Sequence, residues 1–279
     1  MLAIVFGLGA ALCYGSADFI GGIAGRRIGA LKTVLYAYVL GLPVLVFAAL
    51  LNGGLGMELV DWLWCGAAGI LGALGFLTLY RAFSTGNMST AAPVAALASA
   101  SLPVIAGIIR DGLPSATSLA GFVLALAAVW LISRGGKTGV AMELQHKDLA
   151  LPLLAGLGMG LYFVFINFGS QNSVLAPLVA SRLTGTMTPF FVAVGQRELK
   201  PPAPAFWPLV AMNAVLDLGG SLFYILAGQT GRMDLAAILS SLYSGITVLL
   251  AWMLLRERIQ PQQRLGILLT LVAIVLITF

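Results

Sequence analysis

Residues 75–99 read GFLTLYRAFSTGNMSTAAPVAALAS, and residues 220–244 read GSLFYILAGQTGRMDLAAILSSLYS. Laid over each other at a separation of 145 residues, they agree at 10 of 25 positions without a gap. The agreement includes Gly75/Gly220, Ala82/Ala227, Thr85/Thr230, Gly86/Gly231, Met88/Met233, Ala91/Ala236, Ala92/Ala237 and Ser99/Ser244. A composition rich in Ala, Leu and Gly produces some of these by chance, but not the Thr-Gly-x-Met…Ala-Ala run. The same separation pairs Gly121/Gly266, Ala128/Ala273 and Leu131/Leu276, and a separation of 149 aligns Asp18-Phe19 with Asn167-Phe168. The chain therefore reads as one module present twice, over 1–135 and 149–279, with residues 136–148 as the linking loop.

The solvent of both copies is lipid. Of 279 residues, 60% are hydrophobic and 9% charged, against about 45–50% and about 25% in soluble proteins. The mean hydropathy is +1.01. A crossing of roughly 30 Å of hydrocarbon needs about 20 apolar residues. Candidate spans are 2–23, 33–51, 62–80, 88–109, 115–133, 149–169, 174–195, 206–227, 233–255 and 265–279, the last starting a few positions earlier, near Gln262. They leave no room for a soluble domain. The runs are apolar all round rather than alternating, so helices, not barrel strands, are expected. The first span lacks the positively charged leader of a signal peptide and reads as a retained span. Cys13 and Cys65 have neither CxxC spacing nor a nearby His, which argues against a metal site; no cofactor is called for.

Five spans per copy is an odd number, so the second copy inserts upside down. Inverted repeats characterise secondary transporters, because two alike halves can exchange conformations around a midplane site. The fold class expected is an all-α membrane protein of ten transmembrane helices in two inverted five-helix repeats. With the N-terminus on side A, that side carries Arg110 and Arg232. Side B carries Arg26, Arg27, Lys32, Arg81, Arg134, Lys137, Lys147, Arg197, Lys200, Arg256, Arg258 and Arg264. Basic short loops stay in the cytoplasm, which predicts that both termini face outward. Nucleic acid is not an expected partner, since no continuous basic face with interleaved aromatics is present.

The chain resembles the drug/metabolite transporter superfamily in its ten-span, EamA-type branch. The resemblance is carried by Tyr14-Gly15-Ser16, by Ala82-Phe83-Ser84-Thr85-Gly86-Asn87-Met88 with Ala92-Pro93, and by Glu257 with Gly266. Tyr14 and Asp111 depart from the family pattern. The resemblance implies carriage of small metabolites, amino acids or drug-like compounds, often outward, by an integral multi-pass protein of a bacterial inner membrane. It also implies cytoplasmic termini, the opposite of the charge count.

Ionised side chains are costly inside a bilayer and mark function by default. Three lie well inside the spans: Asp18, Arg182 and Asp217. Arg182 and Asp217 fall about 12 and 15 Å from side A at 1.5 Å per residue, so they can face each other. Arg182 then anchors a substrate carboxylate, and Asp217 takes up a proton or coordinates a cation; the competing reading is a structural ion pair. Asp18 lies about five residues from the side-B end of span one, a gate position or a helix-end polar residue, with Asn167 its counterpart at the opposite face. Tyr14, Asn213, Ser221, Tyr224, Ser99 and Tyr243 read as a cavity lining for a polar or cationic small molecule. Tyr36 and Tyr80, near span ends, read as interface anchors. Gly66, Gly69, Gly72 and Gly75 allow a neighbour close to span three. Pro93 and Pro103 bend span four as a gate, and Pro43 and Pro189 lie in spans two and seven. His146 reads as solvated linker.

An intramembrane enzyme would need clustered acids or a His/Cys/Ser constellation, which is missing. A non-transporting scaffold would have no use for midplane charges. The expectation is a secondary transporter, an exporter, with a small-molecule substrate, the lipid bilayer and a proton or cation as partners. With no nucleotide-binding motif present, energy comes from an ion gradient, protons first, or from the substrate gradient itself. The oligomeric state is left open, a monomer included.

Overall fold

The computed structural model describes residues 1–85, 88–134, 146–230, 233–255 and 261–278. Gly86, Asn87, Lys137, Arg232, Arg256, Glu257 and Arg258 lie outside them. Eleven helices are described: α1 (Leu2–Ile28), α2 (Ala30–Leu51), α3 (Leu59–Thr85), α4 (Met88–Asp111), α5 (Ala116–Arg134), α6 (His146–Gly169), α7 (Leu175–Gln196), α8 (Trp207–Thr230), α9 (Met233–Ser241), α10 (Tyr243–Leu255) and α11 (Pro261–Thr278). A 3₁₀ turn at Pro204–Phe206 leads into α8. Among the described residues there is no strand.

Among the described residues, seven segments are long and apolar enough to cross a membrane: α1, α2, α3, Val94–Asp111 of α4, Ala150–Gly169 of α6, Pro204–Thr230, and Met233–Leu255 across α9 and α10. The protein is thus an integral, multi-pass membrane protein. α7 falls short of the same mean, since Arg182, Thr184, Thr186 and Thr188 dilute its apolar residues.

Helix ends differ from the hydropathy boundaries. α1 continues past residue 23 to Ile28, and α3 past residue 80 to Thr85. Hydropathy falls where Arg26 and Arg27 reach water, but backbone hydrogen bonding persists until the chain must turn. Gly29 makes that turn alone at φ 90, a backbone state that glycine tolerates without Cβ strain, and α2 begins at the next residue. α6 starts at His146, so the stretch read as linker is already helical there. α4 stays one helix through Pro93 and Pro103; the Pro93 side chain lies outside the description.

Span nine, expected as one helix, is interrupted at Leu242. Ser240, Ser241 and Ser244 each donate a hydroxyl back to a carbonyl three or four residues earlier. Such bonds compete with the helical ladder and loosen it locally.

The packing is built on small residues. α1 lies along α8 and α6 along α3; α1 also meets α9 and α10, as α6 meets α4; α5 pairs with α11. α7 packs extensively on α3, whereas α2 touches α8 lightly. Gly69 of α3 lies against the Ser181 carbonyl of α7, and Gly72 and Gly75 lie against Tyr162 and Met159 of α6, the close approach that glycine allows. Phe47, Leu63, Phe191, Val215 and Leu254 are exposed on the outside, where acyl chains solvate them.

Candidate functional site

The charges that depth arithmetic placed level do meet. Arg182 Nη2 on α7 donates to Asp217 Oδ2 on α8 at 2.6 Å, and both side chains are 6% exposed. The Tyr38 ring of α2 lies 4.1 Å from the guanidinium carbon, so the cation sits on an aromatic face as well as beside a carboxylate. Asp217 Oδ1 has no hydrogen-bond partner. An arginine has five donors in a rigid fork, and Asp217 engages it at one nitrogen.

Around this pair lies a small, partly open cavity of about 250 Å³, walled by Tyr38, Gly69, Phe76, Tyr162, Ser181, Arg182, Asp217 and Ser221. Its free space admits little more than one water molecule. Ser221 joins two walls, because Tyr14 on α1 and Tyr162 on α6 both donate to its Oγ at 3.2 Å. Tyr14, Arg182 and Asp217 are therefore gathered in one place from α1, α7 and α8, as their types suggested. Tyr38, Tyr162, Phe76 and Ser181 complete the walls and were not singled out from sequence. A tyrosine in mid-span is the available signal for Tyr38 and Tyr162; which face it occupies is a property of packing.

Asp18 lies elsewhere than expected. With α1 ending at Ile28, it is ten residues from the side-B end, about 15 Å at 1.5 Å per residue, and it is fully buried. The placement near interfacial water is thereby corrected. Asp217 is also ten residues from the side-B end of its helix. Neither oxygen of Asp18 has a hydrogen-bond partner. Beside it, Asn213 Nδ2 donates to the Ala17 carbonyl at 2.8 Å and to the Tyr80 hydroxyl at 3.0 Å. Tyr80 is buried rather than an interface anchor, for α3 continues a turn beyond it. Tyr36, by contrast, donates to the Leu199 carbonyl in an exposed setting and meets Trp207 edge-on, as an anchor should.

The remaining candidates are apart from the cavity. Ser99 of α4 and Tyr243 of α10 pair at 3.4 Å. Tyr224 donates to the Phe163 carbonyl at 3.2 Å and lies 4.5 Å from that ring; its polar end is spent on backbone. Asn167 is buried in the last turn of α6 at side A, where its Oδ1 accepts from Arg110 at 3.4 Å and from Gln171 at 3.3 Å. Asp18 and Asn167 thus sit at different depths in their helices. Pro103 is buried within α4.

The model of the EamA-like transporter family matches residues 1–134 and again residues 147–279. The chain belongs to that family, and so is a membrane transporter of small molecules. A solved crystal structure superposes with a TM-score of 0.75 at 17% identity, covering 99% of this chain and 96% of its own; that likeness is one of fold. No curated protein matches.

Proposed function

We propose that the protein is a secondary transporter of ten membrane-crossing helices in two inverted halves, 1–135 and 149–279, working by alternating access. Two matches of one family model within one chain support the duplication. Packing supports it at residue level. A Cβ on Gly220 of α8 would press on Tyr14 of α1, and one on Gly75 of α3 would press on Met159 of α6. Both partners of these two contacts are related by the 145-residue separation. Gly15 abuts the Tyr243 carbonyl and its counterpart Gly160 the Ser99 carbonyl, the two carbonyls being one residue out of that register. A uniform separation of 145 pairs Asp18 with Phe163 rather than Asn167.

The observation that carries the function is the buried Arg182–Asp217 pair on the wall of a nearly filled chamber. A substrate carboxylate competes with Asp217 for the guanidinium, forming the bidentate contact that an arginine fork favours. Tyr38, Phe76, Tyr162 and Tyr14 supply an amphipathic wall for the rest of the molecule. Asn167 with Arg110 closes side A, and α4 with Pro93 and Pro103, together with the Ser99–Tyr243 contact to the interrupted α9–α10 pair, forms the moving gate. Export of small metabolites, amino acids or drug-like compounds is coupled to an ion gradient through the buried carboxylates.

The test is uptake of a labelled amino-acid mixture by sealed vesicles. Wild type should accumulate label above protein-free vesicles, and Arg182→Leu with Asp217→Leu should not, while melting at a similar temperature. A double variant that still transports makes the pair structural only.

A further inference from the structure

We propose that Asp18 is the proton-binding group of the transport cycle, protonated while the chamber is closed and ionised when the α1–α8 seam opens. The inference rests on the carrier reading and adds the identity and place of the coupling ion.

The two buried carboxylates differ in what surrounds them. Asp217 has a guanidinium at 2.6 Å. Asp18 is no less buried and has no hydrogen-bond partner at either oxygen. The polar groups nearby are turned to other partners: Asn213 serves the Ala17 carbonyl and the Tyr80 hydroxyl, and Tyr243 serves Ser99. An ionised carboxylate without donor or counter-charge is the costliest occupant of such a site, and the usual outcome is neutralisation.

The charged and titratable groups of the helices packed on α1 offer no substitute for a proton. Tyr80 of α3, Asp217 of α8 and Tyr243 of α10 share its electrostatic surroundings. On α2, Tyr38 is turned to Arg182, and Lys32 stands at the side-B start. Asp234 of α9 stands at the side-A start, where its Oδ1 accepts from the Leu235 amide.

A metal cation fits poorly. Cations of that kind need several oxygens at about 2.0–2.6 Å, and among the described residues no group of three or more His, Cys, Asp or Glu gathers that could hold a metal ion. The next turn is filled as well: Gly21 is closed off by Tyr80, and Gly22 by Met88 and Phe83. A proton needs no room.

The release step follows from the neighbouring contact. The Asn213 bond to the Ala17 carbonyl pins α1 to α8 one residue from Asp18. Separation of the two helices breaks that bond and admits water. The carboxyl O–H then breaks, water takes the proton, and the carboxylate left behind is solvated. Reclosure requires a proton again, so each closure of the seam carries one proton.

Infrared spectroscopy of wild type in lipid at neutral pH tests this without any substrate. The expected result is a protonated-carboxyl C=O band that is retained in Asp217→Asn, shifted in Asp18→Glu and lost in Asp18→Asn. The asparagine is the isostere of a neutral carboxyl, so Asp18→Asn should melt at the wild-type temperature; should it not fold, the Asp18→Glu shift decides. No band in wild type, a band that survives in folded Asp18→Asn, or one unmoved in Asp18→Glu overturns the proposal. Vesicle uptake of labelled amino acids separates this from the carrier reading. Wild type that fails to accumulate any label, with the infrared result intact, sinks the carrier and leaves the proton site standing. Wild type that accumulates label with an Asp18 band absent sinks the proton site alone.

Discussion

Asp18 and Asp217 stand at the same depth on two helices that pack together, and they have opposite surroundings. Asp217 shares a hydrogen bond with Arg182 above the Tyr38 ring; Asp18 is fully buried with no hydrogen-bond partner. Burial of a carboxylate is thus met in two ways in one seam, by a counter-charge at one site and by neutrality at the other. A paired charge costs little until its partner is taken away. A neutral acid costs little until water reaches it. The first arrangement suits a site that exchanges one anion for another, and the second suits a site that gains and loses a proton.

The comparison breaks most visibly at Arg182. Arg182→Ala leaves Asp217 buried and unpaired, and removal of one member of a buried pair costs about 3–5 kcal/mol; chemical denaturation in detergent should show a loss of that size or no folded protein. Asn213→Ala removes the bond that ties the Ala17 carbonyl to α8 and leaves the buried Tyr80 hydroxyl without its donor, which should cost about 1–3 kcal/mol, read in the same assay. Tyr38→Leu removes the aromatic face under the guanidinium while keeping bulk, for a loss of about 0.5–2 kcal/mol and weaker uptake of labelled amino acids. Tyr224→Phe removes a single bond to the Phe163 carbonyl, about 0.5–1.5 kcal/mol, and transport should persist at the wild-type rate, since that hydroxyl faces backbone rather than the cavity.

Most of the helix positions were legible because a lipid-facing helix must announce itself by apolar length. The meeting of Arg182 and Asp217 was legible for a related reason: two unlike charges at one depth have few other ways to be tolerated. Asp18 was misread because hydropathy marks the edge of the hydrocarbon and says nothing of which side chains the neighbouring helices cover, and Asp18 is fully buried among them. Tyr80 was misread as an interface anchor for the same reason. Tyr38 and Tyr162 stayed hidden because helices apolar on every side carry no periodic signal for the face turned inward. The break at Leu242 needed three serines to bond back onto the helix at once, and serine in a membrane span has several other uses.

The central claim is one buried chamber reached in turn from each face of the membrane. It is tested most directly by placing a cysteine at Ser221, where Tyr14 and Tyr162 converge, with Cys13 and Cys65 replaced by alanine. A membrane-impermeant maleimide should label Ser221→Cys when added to either face of oriented membranes, more slowly than a cysteine in a loop. Labelling from one face only, or from neither while the protein still transports, contradicts the account.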